Sequence, residues 1–303
     1  MQRRTLIKSI GLLAAAGTIT RPAQAAGSII HPGKRRKKSL RIAHITDVHI
    51  RPEYNAPERF LKCMEQVKGH DIDLILNGGD SIYAADYGNI TRDRVNTQWN
   101  IWQQARQEFK EYEMHSCLGN HDMWWAAPAK SDPMYGKDYV VKQLGIPGRY
   151  YSFNKNGWHF VILDSNNQNA GSLDNEQRTW LENDLSGLPA GQPVLLMSHY
   201  PILAVCTRID GGSHTDSKYI ADLFYKHKDK KIGCISGHIH LLDHAWYNGV
   251  QYFCNGAMSG FWWELGDKNS AGPSWYYQTP PGYAIINLYE DGTMDNEYFP
   301  WLG

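Results

Sequence analysis

The strongest constraint on this chain is a repeated unit: a short apolar run, of strand length, that ends on a residue able to hold a metal. Residues 41–46 lead into Asp47-Val48-His49, and residues 73–77 lead into Gly78-Gly79-Asp80. Residues 114–118 lead into Gly119-Asn120-His121-Asp122, residues 193–197 into Ser198-His199, and residues 232–235 into Ser236-Gly237-His238-Ile239-His240. Strand-end donors in an α/β fold lie on the side where binding sites form. In extended chain, residues i and i+2 point the same way, so Asp47 and His49 can reach one ion. The two glycines before Asp80 let the backbone turn sharply and bring that carboxylate close.

Helical spacing of apolar residues lies between these units. It predicts helices over 60–67, 98–112 and 218–226, and a further helix opened by the capping pair Asp174 and Gln177. Hairpins are predicted at Asn154-Lys155-Asn156-Gly157, at Asn248-Gly249, and around Glu290-Asp291-Gly292. Residues 81–97 read as polar and irregular, and 123–149 as loop-rich. Asp164 reads as a turn former. The class is α/β, with no internal repeat.

Residues 1–25 read as an address. Arg3-Arg4 precedes a modest apolar stretch and Ala23-Gln24-Ala25, a small-x-small cleavage site. The pattern Arg3-Arg4 with Leu6 and Lys8 resembles a twin-arginine signal, which implies the twin-arginine translocation machinery as a partner and a periplasmic or secreted destination. The apolar run falls short of the ~20 residues a spanning helix needs, so no stable membrane span is expected. Residues 26–39 contain Gly, Pro and five basic residues and read as a flexible linker. The expected functional domain is 40–303.

The net charge of the 303-residue chain is zero, and losing residues 1–25 removes only basic groups. That excludes an electrostatic case for nucleic acid as a partner. The five cysteines form no C-x-x-C pair, which argues against a zinc ribbon or redox motif. Cys117, Cys234 and Cys254 sit in apolar runs as small core residues.

The donor set is carboxylate, imidazole and amide oxygen: Asp47, His49, Asp80, Asn120, His199, His238 and His240. Without thiolates it is not a structural cysteine-zinc site. It suits zinc, manganese or iron. It is too large for one tetrahedral ion and about right for two ions sharing a carboxylate.

In this order, Asp47-x-His49, Gly79-Asp80, Gly119-Asn120-His121-Asp122, His199 and Gly237-His238-x-His240 resemble the five motifs of the calcineurin-like metallophosphoesterases. The resemblance implies a four-layer α/β/β/α sandwich with two mixed sheets. It implies two metal ions (Fe, Mn or Zn). Asp47, His49 and His240 would hold the first, Asn120, His199 and His238 the second, and Asp80 would bridge. Two cations ~3.5–4 Å apart generate hydroxide at neutral pH and clamp phosphoryl oxygens. A phosphate ester also needs its leaving oxygen protonated, and His121, oriented by Asp122, is the expected general acid. The expected substrate is a small phosphate mono- or diester. Gly79-Asp80-Ser81-Ile82-Tyr83 also resembles the purple acid phosphatase motif in which the Tyr binds ferric iron. His49 instead matches the cyclic-nucleotide phosphodiesterase branch, so Tyr83 is expected as a neighbour and not a ligand.

Among the eleven Trp and eighteen Tyr, Trp124, Trp125, Trp262, Trp263, Trp275, Tyr276 and Tyr277 either wall the cleft or pack loops together. Trp124, Trp262, Arg208 and His214 are the expected substrate contacts. The competing reading is an exported metal- or ligand-binding protein that has lost catalysis.

Overall fold

In the computed structural model the described residues are 36–167, 171–264 and 279–301. Residues 1–25, most of the linker, and Trp275, Tyr276 and Tyr277 lie outside them. Among the described residues the elements run β1 (Lys38–Ile45), α1 (Ala56–Lys68), β2 (Leu74–Asn77), α2 (Arg92–Gln107), β3 (Met114–Ser116), α3 (Lys137–Leu144), β4 (Tyr151–Lys155), β5 (Trp158–Ile162) and α4 (Asn175–Gly187). They continue with β6 (Pro193–Met197), α5 (Thr207–Asp210), α6 (Ser217–Lys226), β7 (Lys231–Ser236), β8 (Asp243–Tyr247), β9 (Val250–Cys254), β10 (Gly282–Tyr289) and β11 (Met294–Pro300).

β1 shows why the molecule is layered. Side chains alternate along a strand, and both faces of β1 are apolar. Ala43 and Ile45 pack with Phe60, Val67, Trp99 and Trp102 of α1 and α2. Leu40 and Ile42 pack the other way, against Phe160, Ile162, Leu195 and Met197 of the second sheet. Behind that sheet, Val161, Val194 and Leu196 meet Leu181, Leu185, Ile220 and Phe224 of α4 and α6. The result is helices, sheet, sheet, helices. Each fully buried Ile, Leu or Phe in such a layer contributes roughly 1.5–3 kcal/mol.

The first sheet has the order β11-β10-β1-β2-β3 and the second β4-β5-β6-β7-β9-β8. β1, β2 and β3 are parallel neighbours, as are β5, β6, β7 and β9, while β10, β11, β4 and β8 join antiparallel. Both sheets are therefore mixed. The parallel strands deliver their carboxyl ends, with the donor loops, to one edge of the sandwich.

Several expected boundaries move. α2 begins at Arg92, earlier than the apolar spacing implied, because the Thr91 side chain accepts the Arg94 amide hydrogen at 3.2 Å and caps it. α3 lies inside the stretch read as loop. Gly136 and Gly145 bound it, with no capping side chain to announce its start. Asp174 does cap α4, accepting from the Gln177 amide at 2.9 Å. The Gln177 side chain instead pairs with the Asp164 backbone, so the box is half formed. The linker expectation overran. Arg36 is bound to Asp295 at 2.6 Å, Lys37 to Glu290 at 2.7 Å, and β1 already runs through Lys38 and Ser39. The five cysteines are free, four of them buried. No helix among the described residues is long and apolar enough to cross a membrane.

Candidate active site

The donor loops leave their strands in an unusual conformation. Asp47, His49, Asp80, His238 and His240 all have positive φ, between 46° and 71°. For residues with a Cβ this costs of order 1–3 kcal/mol each and persists only where the surroundings over-determine it. Here the loops brace one another. The Asp47 amide donates to Gly79 O at 3.0 Å, the His49 amide to Asp80 O at 2.9 Å, and Ile50 to Ser81 O at 3.1 Å. Gly119 permits the closest approach, since a Cβ there would lie 1.9 Å from the Asp80 nitrogen.

Two donor groups form. Asp47, His49 and His240 make the first; Asp80, His199 and His238 the second. In the first, His240 Nε2 is 3.2 Å from His49 Nε2 and 3.3 Å from Asp47 Oδ1. In the second, His199 Nε2 is 3.2 Å from Asp80 Oδ2 and 3.0 Å from the Asn120 amide oxygen. Asp80 Oδ2 also lies 3.7 Å from His49 Nε2 and so faces both groups.

The tautomers show that a cation fits. His49 Nδ1 pairs with Tyr83 O at 3.1 Å and His199 Nδ1 with Gly78 O at 2.8 Å. A carbonyl can only accept, so each Nδ1 carries hydrogen and Nε2 is the atom left to ligate when the ring is neutral. The His49 Nε2 lone pair faces His240 and the Asp80 carboxylate, an arrangement that a cation relieves. Burial works against protonation of His199, but Asp80 and Asp47 raise its pKa to about 9, so its Nε2 carries a proton that a metal would displace. Burial pushes His49 and His238 down to about 3, keeping them neutral as ligation requires. Burial opposes ionisation of Asp47, but His240 and His199 outweigh it and hold the carboxyl well below its usual range.

His121 stands beside both groups. Its amide donates to Asp80 Oδ1 at 2.8 Å, and its Nδ1 pairs with Asp86 Oδ1 at 2.7 Å. Burial works against its protonation, yet Asp80 and Asp86 raise its pKa above the usual value. This corrects the role given to Asp122. The Asp122 carboxylate is fully buried and accepts from the backbone amides of Asp80, Ser81 and Gly119 at 3.1, 2.8 and 2.8 Å. It ties two donor loops together, and Asp86 is the residue that orients the His121 ring. Asp86 is itself held by its segment. Gln98 of α2 pairs with both backbone groups of Ala84 at 2.9 Å, and the Ala85 amide donates to His121 O at 2.7 Å.

The expected substrate contacts divide. Trp262 is at the site, its ring stacked on His49 at 3.8 Å and edge-on to His121 at 4.9 Å. Trp124 is not, being buried among helices with its Nε1 turned to Ile90 O. Its neighbour Trp125, 42% exposed, faces the cleft instead. Arg208 is an exposed residue of α5. His214 is buried, bonded to Ser198 and Asp216, and does not reach the cleft. Tyr83 meets His49 through its carbonyl, while its ring lies between Trp262 and the Arg51 guanidinium. Asp164 does turn the chain, accepting the Asn166 amide at 3.0 Å, and also binds Lys137 at 2.6 Å and Arg149 at 3.1 Å. Beside Asn120 and Asp86 opens a cavity of about 600 Å³, lined further by Met123, Trp125, Lys137, Asn166 and Tyr200.

The layered α/β/β/α fold, with two donor groups at its strand ends and a carboxylate-backed histidine between them, defines a metal-dependent hydrolase. The chain belongs to the calcineurin-like phosphoesterases, whose family model matches residues 40–242. It is a metal-dependent phosphoester hydrolase. It is 25% identical over 273 residues to the 3',5'-cyclic adenosine monophosphate phosphodiesterase CpdA of Escherichia coli (strain K12), covering 85% of this chain and 88% of that one. It is 24% identical over 269 residues to the 3',5'-cyclic-nucleotide phosphodiesterase alr5338 of Nostoc, covering 85% and 91%. Its fold resembles a dimetal phosphatase from Danio rerio, with TM-score 0.60 and 15% identity over 86% of this chain and 96% of that one. It also resembles the purple acid phosphatase PPD1 of yellow lupin, with TM-score 0.55 and 17% identity over 87% and 52%.

Proposed function

We propose that this chain is an exported two-metal hydrolase of phosphate diesters, with 3',5'-cyclic nucleotides as the first substrates to try. The observation that carries the reading is the pairing of His121 with Asp86 beside Asn120 and Asp80. Asp47, His49 and His240 would hold one ion, Asn120, His199 and His238 the other, and Asp80 both. When bound, the pair (Fe, Mn or Zn) supplies water activation and neutralises phosphoryl charge.

The chain's own residues do the rest. Asp86 accepts the His121 Nδ1 hydrogen, which aims Nε2 away from Asp86. Nε2 then donates its proton to the leaving oxygen, worth roughly 10²–10⁴-fold. The cavity beside Asn120, lined by Trp125 and Asn166, receives the part of the substrate that carries the leaving oxygen. Trp262 covers His49 and Tyr200 covers His238, with ring centroids 3.8 and 3.7 Å apart, which keeps bulk water off the ligands.

The diester reading is supported by the two named phosphodiesterases, which align over most of their length. Export is supported by the Arg3-Arg4 pattern. The test is metal analysis of the purified chain, then assay of bis-p-nitrophenyl phosphate, p-nitrophenyl phosphate and cyclic AMP. Two metals per chain and faster turnover of the diesters are expected. Faster turnover of the monoester would overturn the diester assignment. Export is tested by fractionation of cells expressing the Arg3→Lys, Arg4→Lys double variant, which should retain the protein in the cytoplasm.

A further inference from the structure

Ser198, His214 and Asp216 are joined in the order of a nucleophilic triad, yet they lie away from the cleft. Ser198 Oγ is 2.8 Å from His214 Nε2, and His214 Nδ1 is 2.9 Å from Asp216 Oδ1. Asp216 Oδ2 accepts from the Leu173 amide at 3.0 Å and from Arg178 at 2.9 Å. With Asp216 acting as acceptor, His214 carries its hydrogen on Nδ1, and Nε2 accepts from the Ser198 hydroxyl. The geometry would suit acyl transfer. The burial does not, because Ser198 is 1% and His214 2% exposed and neither lines the cavity.

What the three residues do hold is a loop. Ser198 directly follows β6, one residue before His199, and its amide donates to Ile235 O at 3.1 Å. His214 lies sixteen residues further on, where its amide donates to Pro201 O at 3.0 Å, and the Thr215 amide donates to Gly171 O at 2.7 Å. Residues 201–216 thus form a strap with both ends anchored. Gly212, at φ +79°, lies directly against the His238 ring: a Cβ there would sit 3.1 Å from His238 Nε2 and Cδ2.

We propose that Ser198, His214 and Asp216 form a buried positioning relay that seats this strap against His238 and thereby sets the metal affinity of the second donor group. The inference rests on the two-metal reading above, and its readouts separate the two. A partner that orients a ligand typically changes metal affinity 10–100-fold when removed. The hydroxyl is a small buried donor whose loss leaves His214 Nε2 unpaired.

The test uses the full chain, stripped by chelator and titrated with Mn²⁺ while free ion is followed by electron paramagnetic resonance. Ser198→Ala and His214→Ala should each weaken one of the two sites about 10–100-fold and leave the other unchanged. Amide exchange over 201–216 should quicken, and kcat should fall more than KM rises. Gly212→Ala leaves the three relay side chains in place and crowds His238 and Ile239 at a position of φ +79°, so it must give the same one-site loss even where the relay variants fold poorly. Two wild-type affinities in all variants that fold would overturn the proposal. Labelling of Ser198 by a fluorophosphonate would overturn it by making that residue a nucleophile. A wild-type chain that binds no second ion would defeat the two-metal reading itself.

Discussion

The two donor groups are assembled in different ways. The first rests on short local spacings, Asp47-x-His49 from one loop and the second histidine of His238-x-His240 from another. The second takes one donor from each of four loops, Asp80, Asn120, His199 and His238. Their covers differ as well. Trp262, from a segment after β9, is stacked on His49. Tyr200 and Gly212, from the chain that follows His199, lie on His238. A group built on local spacing needs only the strand end to be placed. A group built from four loops needs those loops to hold one another, which is what Asp122 and the Ser198-His214-Asp216 relay do.

The largest effect should come from the residue the groups share. Asp80 Oδ2 faces His199 and His49 while Oδ1 holds the His121 amide. Asp80→Asn should weaken both Mn²⁺ sites and lower diester turnover on the order of 10³-fold, the scale seen when a central electrostatic stabiliser is removed. Loss confined to one site in the titration would show that the groups are independent.

Next come the two carboxylates near His121, Asp86 on its ring and Asp122 on the loop backbone. Asp86→Asn should cut turnover by about 10²-fold, the lower end of the range of general acid catalysis, with the melting temperature and metal content kept. Asp122→Asn turns an amide N–H toward backbone N–H groups, a mismatch worth about 1–3 kcal/mol. It should lower the melting temperature and metal retention together. Thermal denaturation alongside kinetics decides the point, and the reverse pattern would restore Asp122 as the orienting residue. The smallest effect is expected at Tyr83, whose carbonyl, not its ring, meets His49. Tyr83→Phe should change activity by about twofold or less, the size of a substitution away from the site's features. A visible charge-transfer band in the iron-loaded chain, abolished by this substitution, would make Tyr83 a ligand.

The difference between the groups also explains what could be read from the sequence. Each donor follows an apolar run within a few residues, so strand ends and donors could be placed together. The two sheets and their mixed character followed from the family resemblance and are present. Asp86 carried no such mark. It sits in a polar stretch shaped by Gln98 of α2, which binds Ala84 across fourteen residues, so only the folded chain brings it to His121. Trp124 and Trp125 are adjacent, and which of them faces the cleft depends on a turn with no regular period. His214 read as a substrate contact because nothing in the sequence marks Ser198 and Asp216 as the partners that bury it. α3, which supplies Lys137 to the cavity, lacks a capping side chain and was read as loop.

Protonation of the leaving group by His121, as proposed, is tested by a leaving-group series. Wild type and His121→Ala would be assayed on aryl and alkyl phosphate diesters of graded alcohol pKa, with metal content checked in each. Little loss is expected with nitrophenyl leaving groups, which depart without a proton. The loss should grow to roughly 10²–10⁴-fold with alkyl alcohols, with two metals retained. Equal losses across the series, or loss of metal from His121→Ala, would contradict it.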